Sequence, residues 1–379
     1  MKKNKRLLFV VIVLLVILVT VFLFLYFKLK DKGTFASYSV TQVKEVTAGY
    51  SMEYTEYGSG DSRGFIEYNS DGASAYRTDG SAIWNFAYDI SKPIVRGSGE
   101  YTVVAESGGK ILDIIDKSGD AKTFTMNDDI VLADIASNGV AAVLTQNGTK
   151  NHVYLYSTDS KDALVDKYTT IEDNGFPVAV AESVDGKKLA LSYMETENGT
   201  INSWITFYNF GNVGSNQVDN LVGSFEYKGS VAPDINFTSQ NYLTSFRDTG
   251  IELYSMTQVP EVSLTADFTD KVKSVAESDN YSCVVFEAET GKSCHVQIYD
   301  NKKCSMAGEF DISFDFDHVM FMGDRLLMYS KNAFHILNID GSICYETDFT
   351  SDIDTIISSG SADSFLMVTA GKIELINFK

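Results

Sequence analysis

Seven times along the chain, a run of alternating apolar residues leads into a turn of Asp, Ser, Asn and Gly and then into a second run that closes on an aromatic residue. The copies are ASAYRTDGSAIWNF (73–86), KILDIIDKSGDAKTF (110–124), HVYLYSTDSKDALVDKY (152–168), SWITFYNFGNVGSNQVDNLVGSFEY (203–227), GIELYSMTQVPEVSLTADF (250–268), HVQIYDNKKCSMAGEF (295–310) and AFHILNIDGSICYETDF (333–349). Their turns centre near residues 80, 119, 158, 212, 257, 302 and 341, a period of about 40 residues with insertions in the fourth and fifth copies. Alternation with a period of two marks a half-buried strand, so each copy reads as a hairpin. Two further short strands lie between copies, as in PIVRGS with YTVVAES, IVLADIAS with VAAVLTQ, FPVAVAES with KLALSYM, VKSVAES with YSCVVFE, and DTIISSG with SFLMVTA. Each unit is then four antiparallel strands. Such a sheet has two apolar faces and is not stable alone, but sheets packed face to face around an axis bury both.

The final unit sets the count. After Asp352 the chain supplies DTIISSG, SFLMVTA and KIELINF and ends at Lys379, three strands where the others have four. An open sheet edge exposes a row of unpaired backbone N–H and C=O groups, so a strand from elsewhere is expected to close it. The segment YSVTQVKEV (38–46) is the candidate, although its alternation is imperfect. The expected fold is all-β, an eight-bladed β-propeller closed by its two ends, with seven blades as the alternative. Composition agrees: 21 Tyr, 24 Phe and 28 Gly against 4 Pro suit short strands joined by tight turns.

Leu7 to Phe27 is a run of 21 residues without a charge, which as a helix at ~1.5 Å per residue spans about 30 Å, the thickness of a bilayer core. The run is longer than a signal-peptide core, and GTFASYS downstream offers no convincing small-x-small cleavage site, so it reads as an uncleaved anchor. Lys2, Lys3, Lys5 and Arg6 precede the span, whereas Lys28, Lys30 and Lys32 with Asp31 follow it. This asymmetry favours a cytoplasmic N-terminus. The expected order is a cytoplasmic tail at 1–6, a single transmembrane helix at 7–27, a linker at 28–37 and an extracytoplasmic propeller at 38–379, held at the cell membrane.

Of the 31 Lys and Arg, 24 lie after Lys32, as do 50 of the 51 Asp and Glu, so residues 33–379 carry a net charge of −26. Such a surface repels phosphate backbones, which excludes nucleic acid as a partner. Cys283, Cys294, Cys304 and Cys344 have no metal-ligand spacing and read as buried thiols, except that a hairpin around 281–299 would bring Cys283 alongside Cys294 for one disulfide. The sequons at Asn147, Asn198, Asn236 and Asn280 are explained by chance.

The D-G turn and closing aromatic of YRTDGSAIW and LNIDGSICYETDF resemble the repeats of quinoprotein-like (PQQ-like) propellers. The whole chain, one anchor and one propeller, is similar to an uncharacterised family of single-span, membrane-anchored propeller proteins of Gram-positive anaerobes. The quinoprotein resemblance covers both cofactor-dependent alcohol dehydrogenases and non-catalytic envelope scaffolds. Its catalytic members carry a tryptophan in most blades, carboxylates for calcium and often an adjacent cysteine pair. This chain has only Trp84 and Trp204, no Cys-Cys, and no acidic cluster assignable to the axial channel. No cofactor, no metal and no catalytic residue is therefore expected, and Trp84 should pack between blades.

Local motifs for nucleophilic, zinc or phosphate-loop chemistry are missing: there is no G-x-S-x-G, H-E-x-x-H or G-x-x-x-x-G-K-[ST]. His152, His295 and His335 each begin a third strand, in blades whose strand starts should lie well apart, and read as polar positions beside solvent, as does the solitary His318. A more systematic feature is acid in the connections from the last strand of one blade to the first of the next: Asp89, Asp128, Asp129, Asp173, Asp234, Asp270, Asp311, Asp315, Asp317, Asp352 and Asp354. These connections share one face of a propeller. The acids either cap turn N–H groups or form a negative face for a basic partner segment, a cationic glycan or divalent cations. The leading expectation is a non-catalytic scaffold that binds a protein or cell-wall component. The alternatives are a glycan-active enzyme using paired channel acids and a propeller that senses a ligand or cation.

Overall fold

The computed structural model describes residues 33–46, 51–58, 60–287 and 293–379, together with Thr20. The expected membrane span at Leu7 to Phe27 lies outside the described residues except for Thr20. Among the described residues no helix is long and apolar enough to cross a membrane.

Among the described residues thirty-two strands form eight four-stranded antiparallel sheets. Blade 1 is β2 (Glu53–Tyr57), β3 (Gly64–Tyr68), β4 (Gly72–Arg77) and β5 (Ala82–Ala87); blade 2 is β6 (Pro93–Ser98), β7 (Tyr101–Glu106), β8 (Ile111–Ile115) and β9 (Ala121–Thr125). Blade 3 is β10 (Asp129–Ile135), β11 (Val140–Asn147), β12 (Lys150–Ser157) and β13 (Val165–Thr170); blade 4 is β14 (Phe176–Glu182), β15 (Lys188–Glu197), β16 (Thr200–Asn209) and β17 (Leu221–Tyr227). Blade 5 is β18 (Asp234–Ser239), β19 (Tyr242–Arg247), β20 (Gly250–Ser255) and β21 (Glu261–Asp267); blade 6 is β22 (Val272–Glu277), β23 (Tyr281–Phe286), β24 (Cys294–Asp300) and β25 (Ser305–Ile312). Blade 7 is β26 (His318–Met322), β27 (Arg325–Tyr329), β28 (Ala333–Leu337) and β29 (Ile343–Asp348). Blade 8 joins β30 (Ile353–Ser358), β31 (Ser364–Thr369) and β32 (Lys372–Phe378) to β1 (Tyr38–Glu45), so the ring has eight blades rather than seven. Within each blade the strands are lettered a to d from the axis outward; first strands of neighbouring blades touch, as β2 touches β6 and β30, and β14 touches β10 and β18.

The core is a ring of interfaces. Each of the eight buried apolar clusters is built by two adjacent blades: Val103, Leu112 and Ile114 of blade 2 meet Ile130, Ala141 and Val143 of blade 3, and Cys283, Val296 and Ile298 of blade 6 meet Leu326, Met328 and Leu337 of blade 7. Strands b and c feed these clusters from both faces, which is why AAVL, CVV and SFLMVT read as continuous apolar runs.

Closure is antiparallel, from Tyr38 opposite Phe378 to Glu45 opposite Lys372. The register shifts between Gln42 and Lys44, leaving Val43 as a bulged extra residue. That bulge accounts for the imperfect alternation of 38–46. The outer strand is also bulged in blades 1, 4, 5, 6 and 7, there near its start, where Ile83, Val222, Ser263, Ala307 and Cys344 are the extra residues.

The recurrent D-G turn has two jobs. Asp79, Asp116 and Asp340 each accept the backbone N–H two residues on, at 2.9, 2.8 and 3.0 Å. The glycines Gly80, Gly119 and Gly341 adopt φ of 84°, 86° and 81°, and a Cβ on each would lie 2.2 Å from Val43 O, 2.6 Å from Trp84 Cβ and 2.4 Å from the Phe310 ring. In every case the obstacle is the outer strand of the preceding blade, so the turn is where consecutive blades dock. Trp84 packs at one such seam, between blades 1 and 2.

The hairpin expected around 281–299 is present, but Cys283 pairs with Ile298 and Val285 with Val296, which carries Cys294 beyond Phe286. All four cysteines are free. The seam gives a prediction. Gly119→Ala should cost about 1 kcal/mol for the left-handed backbone plus roughly another 1–3 kcal/mol for overlap with Trp84, whereas Gly108→Ala, also at positive φ but facing open space, should cost only the first; urea unfolding of the two variants checks this.

Candidate functional site

In a four-stranded antiparallel blade the d-to-a connection and the b–c turn emerge at one end, and the a–b and c–d turns at the other. The connections carrying the expected acids therefore open on one face, the d–a face. Asp89, Asp128, Asp173, Asp270, Asp315, Asp317 and Asp352 lie in the connections; Asp129, Asp234 and Asp354 sit at the first turns of inner strands, and Asp311 is on β25, so these four are corrected from connection to strand. All are exposed except Asp128, which is half-buried. Asp311, Asp315 and Asp317 share one connection and the strand that enters it, and the rest are spread blade by blade. Among the described residues no group of three acids, thiols or imidazoles is placed to hold a metal ion.

What these carboxylates bond to separates them from the other acids. Asp128 accepts from Asn147 Nδ2 at 2.9 Å, Asp173 from Thr170 Oγ1 at 2.7 Å, Asp311 pairs with His295 Nδ1 at 2.9 Å and Asp352 with Lys331 Nζ at 2.9 Å. None of the eleven accepts a backbone N–H among the described residues. On the d–a face Asp248 of a b–c turn, not one of the eleven, accepts a backbone N–H, from Val231 at 2.9 Å. On the opposite face Asp79, Asp116, Asp300 and Asp340 hold the c–d turns. The a–b turns there are also stitched blade to blade: Asn138 donates to Asp185 O at 2.9 Å, Gln240 to the Asp185 carboxylate at 2.7 Å and Asn280 to Asp324 at 2.9 Å. One face is a hydrogen-bonded rim; on the other the eleven acids named above leave the backbone to Asp248 and Glu106.

The histidines of the c strands are not bare polar positions. His152 Nδ1 lies 3.1 Å from Asp166 on strand d, His295 bridges Asp311 and Glu309 at 2.9 and 3.1 Å, and His335 lies 3.4 Å from Glu346 with its ring stacked 3.7 Å from Phe314. The two carboxylates raise the His295 pKa against the opposing effect of burial, which is the larger single cause.

The axial channel holds acids that the sequence reading did not assign to it. Glu56, Asp134, Glu182, Asp234 and Glu277 all stand on inner strands, with Arg96 among them. Confinement away from bulk water raises the carboxyl pKa of each, and the charge of Arg96 counters this for Asp134 and Asp234. Glu182 is the most deeply placed: it is 6 % exposed, burial contributes most to its raised carboxyl pKa, and Asp134, which accepts the Glu182 backbone N–H at 2.8 Å, adds its charge, against the opposing effect of the backbone groups of Ala142 and Ala136. Glu277 accepts from Asn236 Nδ2 at 2.8 Å, and confinement pushes its carboxyl up to about 8. The signal was present in ADIAS, AVAES and SVAES, where an acid interrupts an apolar run at the end of an inner strand.

The fold defines a closed eight-bladed propeller with a polar channel and two chemically different faces. The chain belongs to a family of unknown function (DUF5711), which it matches over residues 31–378. Solved structures similar to it include Saccharomyces cerevisiae Sqt1, 11% identical with a TM-score of 0.57 over 91% of this chain and 99% of that one, and the Dos1 propeller, 10% identical with a TM-score of 0.57 over 89% and 95%. Chaetomium thermophilum Sqt1, solved bound to the N-terminus of the ribosomal protein L10, is 11% identical with a TM-score of 0.52 over 86% and 92%. At these identities the likeness is one of fold. No curated protein matches the chain.

Glu277 yields a prediction with a definite sign. Its unfolded carboxyl releases a proton near pH 4.3, the folded one only at about 8, so the folded state holds the extra proton in between and stability falls as pH rises through that window. Glu277→Gln should flatten this fall when urea midpoints at pH 5 and pH 8 are compared.

Proposed function

We propose that the protein is a non-catalytic, membrane-tethered, extracytoplasmic scaffold whose d–a face binds a basic segment of a partner protein. The observation that carries this reading is the division of labour among the acids. Those of the c–d turns are spent on backbone N–H groups, whereas Asp89, Asp129, Asp270, Asp315 and Asp317 are exposed and their carboxylates hold no hydrogen bond or ion pair among the described residues. Carboxylates kept in water at no structural gain suit recognition of lysine and arginine, through steering and rim contacts.

The apolar run Leu7 to Phe27 behind four basic residues supports the tether and the orientation. The D-G turn with its closing aromatic supports a quinoprotein-like origin for the repeat, without its quinone chemistry. The architecture is able to seat a chain end, since Chaetomium thermophilum Sqt1 was solved with one bound.

The test uses the full-length protein in native membranes. A partner captured at about 0.1 M salt should be released near 1 M, where the screening length falls from about 10 Å to about 3 Å. The triple variant Asp311→Asn, Asp315→Asn, Asp317→Asn should capture at least tenfold less. Equal capture by the variant, or retention at high salt, overturns the reading; sedimentation with purified cell wall in place of a protein would redirect it to the wall.

A further inference from the structure

The end of the axial channel opposite the proposed docking face opens into a cavity of about 380 Å³ spanning blades 5 to 1. Its walls come from the last residues of inner strands and from the a–b turns that follow them. Both signs of charge are present: Glu56 and Asp279 on one hand, Arg63 on the other. They act on one another, since Arg63 lowers the Glu56 carboxyl pKa while Asp279 raises it, confinement being the largest influence. Arg63 reaches the mouth because position 360 is glycine: a Cβ there would lie 1.2 Å from Arg63 Nη1. The amide of Asn236 and the carboxyl of Glu277 face the same space and are fixed to each other at 2.8 Å.

This arrangement discriminates among ligands. An anion alone would meet Glu56 and Asp279, within a chain of net charge −20. A cation alone would meet Arg63. A molecule carrying both charges on neighbouring atoms satisfies both, its carboxylate on the guanidinium fork and its ammonium on the carboxylates. The volume lies in the range of small-molecule sites, and the largely polar wall disfavours an aromatic or lipid-like compound.

We infer that the a–b mouth of the channel is a binding site for a zwitterionic amino acid, with Arg63 taking the ligand carboxylate and Glu56 and Asp279 its ammonium. The site is independent of partner docking on the other face.

The experiment is calorimetric titration of the full-length protein in detergent with each L-amino acid, and then with the methyl ester and the N-acetyl form of any that binds. The expected result is binding by at least one amino acid, weakened tenfold or more by esterification, by acetylation, by Arg63→Gln and by Glu56→Gln. Asp279→Asn reads the same contact should Glu56→Gln fail to fold. The triple Asp311→Asn, Asp315→Asn, Asp317→Asn variant should bind as wild type, which separates this site from the docking face. Absence of binding by every amino acid, an ester that binds as tightly as its parent, or unchanged affinity in the Arg63 and Glu56 variants overturns the inference.

Discussion

The antiparallel ladder between β1 and β32 fixes the two ends of the chain in one sheet, and every other contact in the ring presupposes it. A propeller of this kind has no central core; its apolar surface is buried only where blades touch. β1 and the residues flanking it contribute to two of those contacts. Phe35 and Tyr38 pack into the cluster shared by blades 7 and 8, and Val43 and Val46 into the one shared by blades 8 and 1. Without β1 the ring would open at the seam that Phe65 and Leu366 now close, and the loss would not stay within one blade.

Much of this was legible because strand periodicity and turn chemistry agree with each other. The D-G, S-G and D-G turns at 79–80, 118–119 and 340–341 mark hairpins whose glycines are required twice, by positive φ and by the neighbouring blade. What blurred was register. A bulge changes which residues face which way without leaving a composition signal, so 38–46 looked irregular. Cys283 looked level with Cys294 because an unbroken hairpin ladder, with Cys283 opposite Ile298, has its register fixed by a turn whose length the strand pattern does not mark. The channel acids were hidden for a related reason. In a strand open to a narrow axial space, an acid such as Asp134 or Glu182 interrupts an apolar run only once, and nothing local tells that interruption from a strand end.

The charge of the chain is distributed with more order than its total suggests. Acids on the rim face stabilise turns and link neighbours, those in the channel hold protons more tightly than usual, and those of the blade-to-blade connections remain solvated, with Asp234 at the d–a end of an inner strand standing between the last two groups. Lysines are interleaved on the d–a face, and Lys331 with Asp352 and Lys271 with Glu287 at 2.6 Å remove part of the field. The unneutralised remainder is spread over the connections, with two of its members, Asp315 and Asp317, in the one from blade 6 to blade 7.

The short segment ahead of β1 is fastened as firmly as the strand itself. Phe35 N donates to Cys344 O at 3.1 Å, Ala36 N to Lys379 O at 2.7 Å, and Lys379 N returns to Ser37 O at 2.8 Å, while the Arg325 guanidinium covers the Phe35 ring at 4.5 Å. Any mechanical load arriving through the N-terminal chain must first break these clasps and then strip the outermost strand of the closing blade. The weakest point under traction is thus the joint that keeps the circle shut, so tension would unlatch the ring before it unravelled any single blade.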